Sequence, residues 1–94
     1  MTTVEVTEKH IAEGERHHCR RCPYALAIAS VCTEGTHLDV GATTAAFARG
    51  SLCKSVRMPT SSAVNIAAFD RTGVMHPHSF DLDVPAWALR EVAK

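Results

Sequence analysis

Four cysteines and six histidines are the side chains of this 94-residue chain best suited to metal binding or nucleophilic chemistry. The tightest spacing among them is Cys19-Arg-Arg-Cys22. A Cys-x-x-Cys pair supplies half of a tetrahedral zinc site and needs two further nitrogen or sulfur ligands. His17 and His18 stand next to it, and His10, His37 and Cys53 are further possibilities. Cys32 is a poor candidate, because ten helical residues would carry it about 15 Å from Cys22. No second pair follows at zinc-ribbon spacing, so no cofactor is expected, and zinc on Cys19, Cys22, His17 and His18 is the alternative. A dithiol enzyme fits less well, since a charged loop precedes the pair and the helix begins only after Cys22. The neighbouring cations and the helix N-terminus would nonetheless lower the thiol pKa values and leave a reactive thiol. The plainest reading makes Cys22 a helix cap, Cys32 and Cys53 small apolar fillers of the core, and Cys19 incidental.

The second cluster is cationic. Arg16, Arg20 and Arg21 surround His17 and His18 just before a helix N-terminus. Unpaired N–H groups and the helix dipole favour an anion there, and arginine offers bidentate contacts to phosphate. A nucleotide, a nucleic-acid backbone or an acidic protein surface would fit, as would a solvated loop of no specific use. No glycine-rich phosphate loop and no stacking aromatics accompany the arginines, which weakens nucleic acid as the ligand. The histidines, at 10, 17, 18, 37, 76 and 78, lack the i, i+4 spacing of a zincin. With no nucleophile elbow and no recognisable carboxylate pair, no enzyme is expected.

These residues are positioned by a stretch that is apolar almost all round. From Pro23 to Cys32 the only clearly polar side chain is Ser30. Pro23 suits the first helical position. Tyr24, Ile28, Val31 and Cys32 share one arc, with Leu26 nearly opposite. Such a helix must be covered on most sides, one face by a sheet and the other by a second helix or another subunit. Tyr24 and Leu26, with Trp87 near the C-terminus, are therefore candidate interface residues, although Trp87 could equally close the end of the sheet.

Around that helix, Val4-Glu5-Val6 predicts a strand, and Thr7 caps a short helix that stops at Gly14. Residues 37–58 predict a β-hairpin turning at Arg49-Gly50-Ser51, with a bulge at Gly41. Pro59 ends pairing, and Thr60 or Ser61 caps a helix to about Arg71 that buries Ala63, Ile66, Ala67 and Phe69, with Gly73 at C′. Phe80, Leu82 and Val84 alternate with Asp81 and Asp83 as a strand, and Pro85 opens a last helix ending in Arg90 and Lys94. The order β-α-α-β-β-α-β-α predicts an α+β fold, a small two-layer sandwich of about four strands with helices packed on one face.

The chain length allows one domain, residues 1–94. Hydrophobic residues make up 46% of it and charged ones 21%, which argues against disorder. Few aromatics and many alanines predict a lean core that a partner subunit could supplement. Ten cations balance ten anions, so no net charge draws the protein to nucleic acid or to an anionic membrane. A Thr- and Glu-rich start without an apolar run predicts no signal peptide and hence a cytoplasmic protein with reduced thiols.

Three stretches resemble a group of small proteins encoded by bacteriophages of actinobacteria: residues 6–14 (Val-Thr-Glu-Lys-His-Ile-Ala-Glu-Gly), the Cys-x-x-Cys-Pro-x-Ala-Leu-Ala-Ile of 19–28, and the Ser-Phe-Asp-Leu-Asp-Val-Pro of 79–85. The resemblance implies a phage accessory protein made in the host cytoplasm, acting by binding a host protein rather than by catalysis. It carries no functional residue across. Together these readings favour a non-enzymatic binding protein that forms a homodimer, with an anion binder using Arg16, Arg20 and Arg21, or a zinc-stabilised module, as alternatives.

Overall fold

A computed structural model describes residues 1–90 of the chain. In order, the elements are β1 (Thr2–Val6), α1 (Glu8–Glu13), α2 (Pro23–Ala29), β2 (His37–Val40), β3 (Thr44–Arg49), β4 (Leu52–Arg57), α3 (Thr60–Thr72) and β5 (His78–Leu82), followed by a 3-10 turn at Ala86–Ala88. The fold is α+β, with five strands in two antiparallel sheets, one of order β1-β5 and one of order β2-β3-β4.

The apolar helix α2 sits where expected. It packs against α1, β1 and β2, and so joins the two sheets. Pro23, Tyr24, Ala25, Ala27 and Ile28 are buried, and Leu26 is half-buried. Pro23 occupies the first turn, and the Cys22 thiol accepts a hydrogen bond from Ala25 N. The helix is shorter than its apolar run. After Ser30 the chain tightens into i→i+3 bonds, and Cys32 leaves it to bridge Leu89. Gly14 lets α1 meet α2, since a Cβ there would lie 2.7 Å from two ring carbons of Pro23. In α1, the Thr7 hydroxyl accepts from His10 N while the His10 ring accepts from Thr7 N. That reciprocal cap employs the first histidine.

The predicted hairpin is a three-stranded meander. Gly41 makes no bulge; its N–H donates to Thr44 O at 2.8 Å and closes a tight turn between β2 and β3. The second turn follows the sequence reading. Gly50 has φ 61° while Ser51 keeps a negative φ, matching a two-residue II′ hairpin that joins Arg49 to Leu52.

Two helices depart from expectation. The N-cap of α3 is Pro59, not Thr60 or Ser61, and no side chain caps it. Its buried residues are Ser62 and Phe69, whereas Ala67 is exposed. Ser62 is inside because its hydroxyl donates to Pro59 O at 2.7 Å and lies 3.3 Å from Ala42 O, tying the helix to the β2-β3 turn. At the other end Gly73 adopts the left-handed conformation and donates to Phe69 O, as predicted for C′. The helix expected from Pro85 is only a 3-10 turn. Thr33 N donates to Ala88 O and Arg90 N to Val31 O, so pairing with the segment after α2 takes up the backbone that a helix would have used. The rest of that expectation, to Lys94, lies outside the described residues.

Among the described residues, no helix is long and apolar enough to cross a membrane.

Candidate functional site

The cation-rich loop 15–21 is held to the body of the fold at both flanks. It closes on itself through Glu15 N to Arg21 O at 2.7 Å, with the Arg21 and Glu15 side chains 3.6 Å apart. Arg16 turns away from α2. Its Nε and Nη2 donate to Asp70 O at 2.9 and 2.7 Å, and Nη2 also reaches Arg71 O at 2.8 Å. These are carbonyls at the C-terminal end of α3, where a cation is favoured. His17 adopts φ 57°, rare for a residue with a side chain, and its N–H donates to the Asp70 carboxylate at 2.8 Å. Arg20 pairs with Asp39 on β2 at 3.3 Å.

The expected anion site is therefore not gathered. Arg16, Arg20 and Arg21 each contact a different acceptor, and none of these lies on α2. In addition, the N-terminal N–H of Ala25 is already taken by Cys22.

The cysteines separate in the same way. The exposed Cys19 thiol donates to Asp39 Oδ1 at 3.1 Å, while Cys22 is buried at the helix cap. Hydrogen bonding to the Asp39 carboxylate pushes the Cys19 thiol pKa up, and burial pushes that of Cys22 up. Cys19 and Arg20 together hold Asp39 below the usual carboxylate range. The expected activation of these thiols is reversed, because a carboxylate and an apolar environment outweigh the nearby cations. His17, His18, Cys19, Cys22 and Asp70 do line one open hollow of about 370 Å³. The Cys19 thiol is engaged by Asp39 and the Cys22 thiol by Ala25 N, and among the described residues no three His, Cys, Asp or Glu side chains converge to hold a metal. Cys32 fills core space as expected, and burial raises its pKa to about 11. Cys53 does not fill core space; it is exposed on β4.

Tyr24 is also misplaced by the sequence reading. It is 1% exposed, so it belongs to the core and not to an interface. Asn65 Nδ2 donates to its hydroxyl at 2.9 Å, and that hydroxyl lies 2.7 Å from His78 Nε2. His78 Nδ1 is 2.7 Å from His76 O, a group that can only accept. In the neutral ring Nδ1 thus carries the proton and Nε2 accepts from Tyr24. This chain of bonds links α2, α3 and β5, and the Tyr24 ring meets Phe80 edge-on at 5.2 Å. Burial raises the Tyr24 pKa. Trp87 is half-buried against the core, and its carbonyl accepts from Arg49 Nη1 at 2.8 Å, so it helps close the end of the sheet.

What remains open is β4. The two outer strands of its sheet are treated differently. On β2, the outward N–H of Val40 donates to Cys19 O at 2.8 Å, so the loop 15–21 covers that edge. On β4, all residues but Val56 are exposed. The Met58 N to Thr43 O bond fixes the ladder phase. Stepping by two along the register, Val56, Lys54 and Leu52 bond to β3, while the backbone N–H and C=O of Cys53, Ser55 and Arg57 point outward. On the outer face of the sheet, Arg20, Asp39, Ala46, Ala48, Cys53 and Ser55 line a hollow of about 540 Å³ that runs from β2 across β3 to β4. The sequence did contain a signal for this: between Leu52 and Arg57 the strand alternates without one large apolar residue on its second face.

No family model, curated protein or solved structure matches this chain.

Proposed function

We propose that this chain is a phage accessory protein that acts in the host cytoplasm by binding a host protein, with no catalysis of its own. The observation that supports this reading is the uncovered outer face and edge of β4, on which Cys53, Lys54, Ser55 and Arg57 are all exposed. The polar groups that could have served chemistry are instead engaged within the fold: Arg16 at the end of α3, and Cys19 and Arg20 at Asp39. The homodimer drawn from Tyr24, Leu26 and Trp87 has lost Tyr24 to the core, and the surface best suited to a partner moves to the hairpin sheet.

The test is capture from host lysate by the wild-type protein and by Ser55→Glu. That substitution places an anion among the edge cations on the outer face without entering the core. The wild-type protein should retain a partner in stoichiometric amount, and the variant should not. Recovery of the same proteins by both, or of nothing by either, would reject the reading.

A further inference from the structure

We infer that β4 accepts an extended acidic segment of a partner protein as an added strand, recognised by two carboxylates three residues apart. This deepens the binding reading above and rests on it.

Three outward peptide units, at Cys53, Ser55 and Arg57, alternate along an edge that no described residue covers. Strand addition uses such groups for affinity and uses the side chains flanking them for specificity. The flanking charges here are of one sign. Lys54 and Arg57 form no ion pair among the described residues. Cations on an edge guard against pairing with copies of the same edge, since two β4 strands side by side would bring four like charges to one short ladder. The same cations admit a strand of opposite charge.

The spacing adds selectivity. Lys54 and Arg57 are an odd number of residues apart, so their side chains lie on opposite faces of the sheet. A complementary strand therefore carries its carboxylates three apart, one on each face. A strictly alternating acidic strand places all of its carboxylates on one face and meets only one cation. On the outer face, Cys53 and Ser55 are small, as are Ala46 and Ala48 paired with them on β3, so at these two positions no bulky side chain stands between an incoming strand and the sheet.

The probes are three synthetic peptides of about ten residues: a Thr-Glu-Val repeat, a Thr-Lys-Val repeat, and an alternating Glu-Val peptide with the same number of carboxylates. Binding is followed by amide chemical shifts and hydrogen exchange. The Thr-Glu-Val peptide should shift and protect the amides of Cys53, Ser55 and Arg57. It should bind at least about fivefold more tightly than either of the others, and raised salt should reduce that margin. Ser55→Pro removes one outward N–H and leaves the ladder to β3 intact, and it should abolish binding. Lys54→Glu with Arg57→Glu should reverse the preference toward the Thr-Lys-Val peptide.

Equal binding of the three peptides, no binding at millimolar concentration, or protection elsewhere on the surface would overturn the inference. So would self-association of the protein alone that Ser55→Pro abolishes, because the occupant would then be a second copy. A lysate partner lost with Ser55→Glu but kept by Ser55→Pro would leave the binding surface standing and remove strand addition.

Discussion

Truncating Arg16 to alanine should destabilise the protein by roughly 2 kcal/mol, although the residue is exposed. The guanidinium makes three N–H···O contacts of 2.7–2.9 Å to the carbonyls of Asp70 and Arg71. In a buried setting each hydrogen bond from a charged donor would contribute about 1.5–3 kcal/mol. Here water reaches the freed carbonyls, so only about 0.5 kcal/mol per contact survives, joined by about 0.3–1 kcal/mol for a cation at a helix C-terminus. Arg16→Lys keeps the charge but not the planar fork, and should recover about half of the loss. Urea unfolding followed by Trp87 fluorescence measures both variants, with an unchanged dependence on denaturant as the sign that the unfolded state is unaffected. If Arg16→Ala matched the wild type, the contacts would be incidental. If inorganic phosphate stabilised the wild type strongly and Arg16→Ala not at all, Arg16 would be an anion ligand and the capping argument would be wrong.

Tyr24→Phe should cost about 1–2 kcal/mol, since it leaves His78 Nε2 and Asn65 Nδ2 without their shared partner while keeping the ring contact with Phe80; a phenylalanine variant as stable as the wild type in urea would show that the hydrogen-bond chain contributes nothing. Stability should also fall in alkali. The Cys32 pKa rises from 9.0 to about 11 on folding, so its contribution is intact below 9.0 and is lost as the pH climbs through the folded value. The slope is up to about 1.4 kcal/mol per pH unit. Cys22 and Tyr24 shift in the same direction. Urea midpoints taken under reductant between about pH 8 and about pH 11 test this, and Cys32→Ala should flatten the slope.

The parts of the fold legible in the sequence were those with a local signal. Pro23 at the first turn, Gly73 in the left-handed C′ position and Gly50 in the hairpin turn are each dictated by a few neighbouring residues. The burial of α2 was equally plain, because an almost uniformly apolar helix has no solvent face. β3 was harder to see. Ala45, Ala46 and Ala48 have little intrinsic strand preference, and the segment is extended because it is paired on both sides. The last helix failed for a related reason, since contacts with Val31 and Thr33 outcompete local propensity over 88–90. The site residues were misread wherever their partners lie far along the chain. Arg16 and Asp70 are 54 positions apart, as are Tyr24 and His78. Nothing in the spacing of Arg16, Arg20 and Arg21 distinguishes a cluster aimed at one anion from three arginines with three separate acceptors.

The charge density of the loop 15–21 then has a structural explanation that bears on function. A three-stranded sheet has two edges, and an uncovered edge invites unwanted pairing. The loop covers β2, with the Cys19 carbonyl on Val40 and with Cys19 and Arg20 both on Asp39, while Arg16 and His17 anchor it to the end of α3. The side chains of Arg16, Cys19 and Arg20 are occupied in holding that cover in place. The opposite edge has no such cover among the described residues; it carries only Lys54 and Arg57, which repel a like edge and leave the peptide groups of Cys53, Ser55 and Arg57 accessible. One sheet is thus closed on one side by hydrogen bonds and guarded on the other by charge alone. A guard of charge can be neutralised by a strand of opposite sign, whereas a hydrogen-bonded cover must first be displaced. That asymmetry is the reason to seek the partner at β4 and not at the Cys-x-x-Cys loop.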